Sequence, residues 1–216
     1  MISITTGEYR VLDPDNISNA YPAPSPDGTR IAYDRGGSPW IYDLASGPEV
    51  INLDDYDFYV AVGSQKITLA SPSWSPDGKQ LAWVMGGGLG EDAGYRIAIA
   101  VFDLEAGTGE LFHPYIPIGR GGWPSAPIWS PDGQWLAFEA WSEDEPSGLW
   151  ILRLDGSEER YLGDGSNPAW SPDGSQLAFN RYDEQYSIWI ARVGDWEAEE
   201  VYLPPDAIVK AWRSID

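Results

Sequence analysis

Short apolar segments separated by Pro, Gly and Asp run along the whole chain. None has the 3.6-residue spacing of an amphipathic helix, and their length and flanking residues are typical of β-strands joined by tight turns. The longest uninterrupted apolar run, residues 97–102, is far shorter than the roughly 20 residues of a membrane helix. The pattern predicts an all-β domain without a membrane-spanning segment.

One motif organises these segments. It consists of Ser-Pro-Asp-Gly, two variable residues, Ile or Leu, Ala and an aromatic residue. Its four copies begin at Ser25, Ser75, Ser130 and Ser171, so that the spacings are 50, 55 and 41 residues. A degraded fifth copy occupies residues 211–216.

The motif predicts its own local structure. Pro favours the second position of a turn, and Gly adopts the left-handed conformation that closes it. The strand that follows is apolar on both faces, as expected for a strand covered on both sides. The recurring aromatic residues are therefore predicted to pack between neighbouring sheets: Trp74, Trp129 and Trp170 before the turn, and Tyr33, Trp83, Phe138 and Phe179 after it.

Each repeat contains four strand-like segments. The first, or inner, strand is predicted at 19–24, 69–74, 124–129 and 166–170, and the fourth, or outer, strand at 50–53, 110–112, 159–162 and 200–203. Four-stranded units repeating every 41–55 residues indicate a β-propeller. The pattern Pro-x-Trp-Ser-Pro-Asp-Gly-x-x-Leu-Ala-Phe resembles the propeller repeat of TolB and its relatives. This WD-repeat-like family also includes the propellers of prolyl-oligopeptidase-type peptidases. The resemblance covers about residues 20–212 and implies a fold and an extracytoplasmic (periplasmic or extracellular) location, but no particular activity. No secretory signal pattern follows Met1.

The repeats predict one domain over residues 1–216. Complete blades are expected at about 19–53, 67–112, 124–162 and 166–203. The remaining segments, 1–12 and 207–216, are expected to form a fifth blade from both chain ends, which closes the ring. The alternatives are a fragment of a propeller with six to eight blades, or a subunit whose terminal strands pair with those of a neighbour.

The connections predict where recognition occurs. In a four-stranded meander, the second-to-third connection and the connection to the next sheet emerge on the same face. The long insertions, predicted at 54–65, 85–94, 113–125 and 141–148, all belong to these two classes, and long loops on a rigid scaffold commonly carry binding sites. The predicted partner-binding residues are Tyr56, Phe58, Tyr59, Tyr115, Arg120, Trp123, Trp141 and Asp144.

The alternative for each of these aromatic residues is that it caps its own blade. Alanine at Tyr59, Trp123 or Trp141 is expected to weaken partner binding without lowering thermal stability. An equal loss of stability would identify core residues instead.

The charge balance restricts the partners. Thirteen Lys and Arg against 34 Asp and Glu give a net charge of −21, which repels nucleic acid and anionic lipid. We therefore expect a protein or basic peptide as partner, no nucleic acid and no membrane insertion. The most favoured function is a non-catalytic binding scaffold. The alternatives are an accessory propeller of a peptidase, a carbohydrate-binding or glycosidase propeller, and a self-assembling subunit.

The candidate chemistry favours a protein that is not an enzyme. The chain has no Cys and one His, His113, which precedes a Pro in a predicted loop, and it lacks the Gly-x-Ser-x-Gly motif of serine hydrolases. The predicted inner strands carry no carboxylate for a glycosidase acid pair. No cofactor is expected. Asp54, Asp55 and Asp57 are weak candidates for a Ca²⁺ site because they offer hard oxygen ligands.

Overall fold

The computed structural model describes residues 19–36, 38–51, 68–88, 95–118, 125–140, 147–183 and 185–201. Within these ranges the protein contains no helix, and sixteen strands form four antiparallel sheets of four strands each. The all-β prediction is therefore confirmed.

The strands follow one another in chain order within each sheet. Sheet 1 contains β1 (Asn19–Pro24), β2 (Arg30–Arg35), β3 (Ser38–Asp43) and β4 (Gly47–Val50). Sheet 2 contains β5 (Thr68–Trp74), β6 (Gln80–Gly88), β7 (Tyr95–Asp103) and β8 (Thr108–Ile118). Sheet 3 contains β9 (Ile128–Trp129), β10 (Trp135–Ala140), β11 (Gly148–Arg153) and β12 (Glu159–Gly163). Sheet 4 contains β13 (Gly165–Trp170), β14 (Gln176–Asp183), β15 (Gln185–Arg192) and β16 (Ala198–Val201).

Consecutive sheets pack against one another as the blades of a propeller. Their first strands, β1, β5, β9 and β13, contact each other in series and form the inner wall. The predicted β-propeller of four-stranded antiparallel blades is confirmed. Residues 1–18 and 202–216 lie outside the described ranges, so the fifth blade from both chain ends stays a prediction.

The Ser-Pro-Asp-Gly turns form as predicted, and their serines have a further role. In the third copy, the buried Ser130 Oγ accepts a hydrogen bond from the backbone N–H of Trp135 at 2.9 Å. The same hydroxyl donates to Asp132 Oδ1 at 2.5 Å. The three other copies repeat both contacts, and the motif glycines have φ of 71–72°. Each turn is thus closed by side chains as well as by the left-handed glycine.

The recurring tryptophans connect each sheet to the one before it. The indole N–H of Trp74 donates to the Ala23 carbonyl at 2.9 Å. Trp129 donates in the same way to Ser73, and Trp170 to Ile128, at 3.0 and 3.1 Å. All three indoles are buried. The prediction that they pack between neighbouring blades is confirmed.

The second strand of each sheet is buried on both faces. In β10, Leu136 and Phe138 pack with side chains of sheet 2, whereas Trp135 and Ala137 pack with side chains of sheet 4. The aromatic residue that ends the motif is at most 6% exposed in every copy. This two-sided packing explains why the motif strand is apolar without alternation.

Two predicted insertions are partly wrong, because sheet 2 extends into them. Strand β6 continues through Gly86, Gly87 and Gly88, and β8 continues to Ile118. Residues 85–88 and 113–118 are therefore strand, and His113 lies in β8 rather than in a loop. Pro114 and Pro117 suggested a loop, but β8 is the outer strand of its sheet, where Pro is tolerated.

Three further strands differ from their predicted positions. The inner strand expected at 124–129 is regular only at Ile128–Trp129. Pro127 has no N–H for a ladder, and the Glu139 N–H bonds the Ser125 side chain at 3.2 Å. The outer strand of sheet 1 is Gly47–Val50 instead of 50–53, and that of sheet 4 is Ala198–Val201 instead of 200–203. Gly47 and Pro48 are uncommon residues in strands, which explains why the sequence did not predict the start of β4.

The turn aspartates make stability depend on pH. Hydrogen bonds from the Ser171 hydroxyl and from Ser175 lower the pKa of Asp173 to about 2. A lowered folded-state pKa contributes stability above the unfolded pKa near 4, and this contribution disappears as the pH falls toward 2. We expect D173N to have a lower Tm than the wild type at pH 6, and the difference to shrink between pH 4 and pH 2. Calorimetry across this range measures it, and a difference that does not change with pH would contradict the assignment.

Candidate partner-binding face

The meander order gives the propeller two distinct faces. The first-to-second and third-to-fourth turns of every sheet lie on one face, which we call the turn face. The strand ends that lead into the second-to-third connections and into the connections between sheets lie on the other, which we call the loop face. The turn-face connections are short. In sheet 1, one joins Pro24 to Arg30 and the other joins Asp43 to Gly47. The long connections start and end at the loop face, as at Gly88 and Tyr95.

Most of the predicted binding residues lie outside the described ranges. Tyr115 is within β8, but the position of its side chain is not described. The others occupy connections whose flanking strands end at the loop face, and no contact among them is described: Tyr56, Phe58, Tyr59, Arg120, Trp123, Trp141 and Asp144. Asp54, Asp55 and Asp57 lie in the same undescribed connection as Tyr56. The predicted site therefore stays a prediction at these positions.

The described residues show where exposed apolar surface occurs. Four large hydrophobic side chains are strongly exposed: Tyr21, Val50, Tyr182 and Tyr186. All four belong to the half of their strand that is nearer the loop face. None of these four lies on the turn face, so the two faces differ in chemistry as well as in connection length.

Two of these side chains form an aromatic pair. Tyr182 and Tyr186 lie opposite one another on β14 and β15, two register positions from the hairpin tip. Their ring centroids are 5.0 Å apart, and each residue is 64% exposed. Tyrosine is enriched at the centre of protein interfaces because it combines a large apolar ring with a polar tip. The sequence alone does not predict this pair, because only the strand register brings the two residues together.

The same hairpin is anchored to sheet 3 through Arg181, the residue before Tyr182. The Arg181 guanidinium lies 4.1 Å from the Trp189 ring centroid and 5.3 Å from that of Phe179. It also donates to the Leu162 carbonyl of β12 at 2.5 Å. Arg181 therefore ties β14 to sheet 3 one residue before Tyr182, although its side chain lies on the opposite face of sheet 4 from the tyrosine pair. Such anchoring limits the motion of the strand that carries Tyr182 and so lowers the entropy lost on binding.

A carboxylate connects sheets 3 and 4 near the same face. Glu139 Oε1 accepts a hydrogen bond from the Asn167 N–H at 2.8 Å. Burial raises the pKa of Glu139. Asp34 and Asn180 hold the equivalent positions of β2 and β14 and are also buried. The second strands β2 and β10 thus carry carboxylates, Asp34 and Glu139, which the predicted inner strands lack.

The inner strands carry a repeated bulge. Tyr21, Ser71 and Asn167, each four residues before the motif serine, have φ of 51–58°. The ladder register shifts at each of these positions. Bulges redirect side chains and are common beside functional sites. In β1 the bulge accompanies a Tyr21 side chain that is 51% exposed.

Tyr161 supplies a fixed polar group beside the sheet 3 edge of this face. Its hydroxyl oxygen lies 2.9 Å from the Ser147 carbonyl oxygen and 2.7 Å from Asp164 Oδ1, and these two acceptors share its single proton. Burial and the Asp164 hydrogen bond raise the pKa of Tyr161 to about 12. The phenol is therefore neutral throughout the physiological pH range.

In the described part of the chain, no three His, Asp or Glu side chains come together as a metal site would require. The same part includes no helix that is long and apolar enough to cross a membrane.

Similarity to known proteins agrees with the fold. The sequence is 33% identical over 144 residues to the Tol-Pal system protein TolB of Anaeromyxobacter dehalogenans, which covers 62% of this chain and 26% of that protein. It is 32% identical over 99 residues to the uncharacterized peptidase YuxL of Bacillus subtilis, with 45% and 14% coverage. The solved structure of a putative TolB from Agrobacterium tumefaciens matches with a TM-score of 0.56 and 22% identity, over 94% of this chain and 68% of that one. No protein-family model matches.

The fold and the stacked motif turns define the chain as a β-propeller. Its repeats are similar to those of TolB in the motif and in the sequence matched to the Anaeromyxobacter protein. The aligned regions span about a quarter or less of the two curated relatives, so the similarity describes the propeller and not the whole of either protein.

Proposed function

We propose that this chain is a non-catalytic β-propeller that binds a protein or peptide partner on the loop face. The observation that carries the proposal is the exposed tyrosine pair Tyr182–Tyr186, on a hairpin that Arg181 ties to sheet 3. The other strongly exposed hydrophobic side chains of the described residues lie toward the same face. The net charge of −21 favours a partner with a basic surface.

The relatives add a location and a kind of partner to the proposal. The name of the Anaeromyxobacter relative assigns it to a multi-protein system, Tol-Pal. By analogy, we infer an extracytoplasmic location and a protein partner for this chain as well. The undescribed connections at the loop face would supply the remaining contacts, with Tyr59, Trp123 and Trp141 as the aromatic anchors.

A second candidate function follows from the similarity to YuxL. In that case the propeller would be an accessory unit of a peptidase, and the catalytic groups would belong to another part of the protein. An α/β-hydrolase sequence in the same reading frame would support this candidate. Peptide hydrolysis by the purified propeller alone would contradict both candidates, because neither assigns it catalysis.

The tyrosine pair allows a direct test of the loop face. Random dodecapeptides displayed on phage can be selected on the purified protein, and the affinity of selected peptides measured by calorimetry. We expect the double variant Y182A/Y186A to bind them at least about tenfold more weakly, because buried interface aromatics each contribute more than about 1 kcal/mol. Both side chains are exposed, so the variant should keep its Tm within a few degrees.

A matched control removes two exposed side chains from the turn face. Lys79 and Glu105 form an exposed ion pair at 2.8 Å, and K79A/E105A should bind the peptides with wild-type affinity. Equal affinities for the wild type and Y182A/Y186A would exclude the tyrosine pair as the binding surface.

A further inference from the structure

The junction between sheets 2 and 3 contains a cleft. It opens on the turn face, has a volume of about 280 Å³, and is lined by Gln80, Val101, Asp103, Glu110, Phe112 and Leu154. Val101 and Phe112 form a buried apolar floor, whereas Glu110 at the rim is exposed. This cleft is on the opposite face from the tyrosine pair.

At the junction of sheets 3 and 4, the corresponding space is filled from within the chain. Trp196, in the turn after β15, is 5% exposed and has a left-handed φ of 59°. Its ring lies 5.0 Å from that of Trp135 and 6.0 Å from that of Trp170. The turn after β11, which should fill the cleft in the same way, is Leu154-Asp155-Gly156-Ser157 and contains no aromatic residue.

At the junction of sheets 1 and 2, an arginine takes the same role. The Arg30 guanidinium lies 4.6 Å from the Trp74 ring centroid and donates to the Gly78 carbonyl at 2.7 Å. Arg30, Gln80 and Trp135 are equivalent, each being five residues after its motif serine. Gln80 instead reaches the Asp103 carboxylate of its own sheet, at 3.4 Å, and leaves the space open.

At two equivalent positions, the open and the filled junctions carry opposite charges. Register places Asp103 at the position of Arg153, and Glu110 at the position of Arg160. In the filled junction, Arg153 lies 5.6 Å from the Trp135 ring, and Arg160 donates to the Asp195 carbonyl, beside Trp196, at 3.0 Å. The open cleft therefore matches an aromatic side chain that has cationic neighbours rather than acidic ones.

We propose that this cleft is a second binding site, which accepts a tryptophan side chain from a basic segment of a partner protein. The indole would occupy the space that Trp196 fills one junction further on, and flanking Arg or Lys residues would pair with Asp103 and Glu110. The volume is sufficient, since a cavity of about 150 Å³ already accommodates a benzene ring. The site is independent of the loop face and of the function proposed for it.

The test uses the blocked tripeptide Arg-Trp-Arg as probe, with NMR titration of the isotope-labelled full chain. We expect the amide signals of Thr108, Gly109 and Glu110 to shift. Arg-Ala-Arg and Glu-Trp-Glu should bind at least about tenfold more weakly than Arg-Trp-Arg. The first lacks the indole that fills the cleft, and the second is repelled by the acidic rim. E110Q should weaken Arg-Trp-Arg binding about threefold or more, through loss of one favourable charge pair.

The chain provides a matched control for this variant. Glu49 has the same position in sheet 1 that Glu110 has in sheet 2, opposite Ile41 and Val101 respectively, and both glutamates are exposed. E49Q removes the same charge from a junction that Arg30 fills, and should leave the affinity unchanged. Three results would each overturn the proposal. They are equal weakening of Arg-Trp-Arg binding by E49Q and E110Q, equal affinities for Arg-Ala-Arg and Arg-Trp-Arg, and amide-signal shifts centred on Tyr182 and Tyr186.

Discussion

Replacement of Trp170 by alanine should lower the free energy of unfolding by about 3–5 kcal/mol, as truncation of a buried tryptophan typically does. The indole is only 8% exposed, packs against Trp196, and bonds the Ile128 carbonyl of the preceding sheet. In a protein of this size, 1 kcal/mol corresponds to about 2–4 °C in Tm. We therefore expect Tm to fall by roughly 6–20 °C in calorimetry.

A conservative variant separates the two contributions of this side chain. W170F keeps an aromatic ring at the junction and loses the indole N–H, so the loss should be about 1–2 kcal/mol, close to the value of one hydrogen bond with some packing. Y186A removes an exposed aromatic side chain and serves as the control, with little change in Tm. A W170A protein that melts within one or two degrees of the wild type would show that the junction does not depend on this tryptophan.

The damage should also be local. Blades contact their neighbours in series, so that stability is approximately a sum of sheets and junctions. Hydrogen exchange of W170A should accelerate first in β13 and in β10, on the two sides of the affected junction, while β2 and β3 of sheet 1 keep their protection. Uniform acceleration would indicate that the described sheets unfold as one cooperative unit.

The sequence predicted those parts of the fold that repeat. Ser-Pro-Asp-Gly contains its own turn geometry, and Trp74, Trp129 and Trp170 recur at one position of the motif because each packs in one kind of junction. Four copies make such features independent of any single residue. The chain path of the blades could therefore be predicted without coordinates.

Features that depend on register or on an edge could not be predicted in this way. Pro114 and Pro117 exclude a central strand but are compatible with the outer strand β8, and the local sequence does not distinguish these cases. Tyr182 and Tyr186 become a pair only through the β14–β15 ladder. The cleft arises where a repeat lacks its filler, and this is visible only when Gln80 is compared with Arg30 and Trp135 in space.

The candidate binding face was predicted at the level of topology rather than of residues. The meander order places all second-to-third and sheet-to-sheet connections on one side, and this inference needs only the strand count. Which side chains of that face meet depends on loop conformation, which no repeat specifies. Tyr182 and Tyr186, in contrast, belong to the regular strands β14 and β15, and the pairing of these strands determines their arrangement.

The second large effect concerns the turn serines, whose role the motif alone did not reveal. Replacement of Ser130 by alanine should lower the free energy of unfolding by about 1–3 kcal/mol, because the backbone N–H of Trp135 loses its hydrogen-bond acceptor in a buried position. Ser130 is 0% exposed, so water cannot take the place of the hydroxyl without a rearrangement of the turn. Tm should fall by roughly 2–12 °C.

The matched control is S157A, in the exposed turn after β11. Ser157 Oγ donates to Asp155 Oδ1 at 2.5 Å, the same type of Ser–Asp contact that Ser130 makes with Asp132. Unlike Ser130, Ser157 is exposed, and water can replace its hydroxyl, so S157A should change the stability by less than about 0.5 kcal/mol. If the two variants lose equal stability, the loss of the Ser–Asp contact is responsible. If only S130A loses stability, the loss of the buried hydrogen-bond acceptor for the Trp135 backbone N–H is responsible. The burial of Ser25, Ser75 and Ser171 in the other copies favours the second outcome, and the same substitution at Ser171 should then reproduce the S130A result.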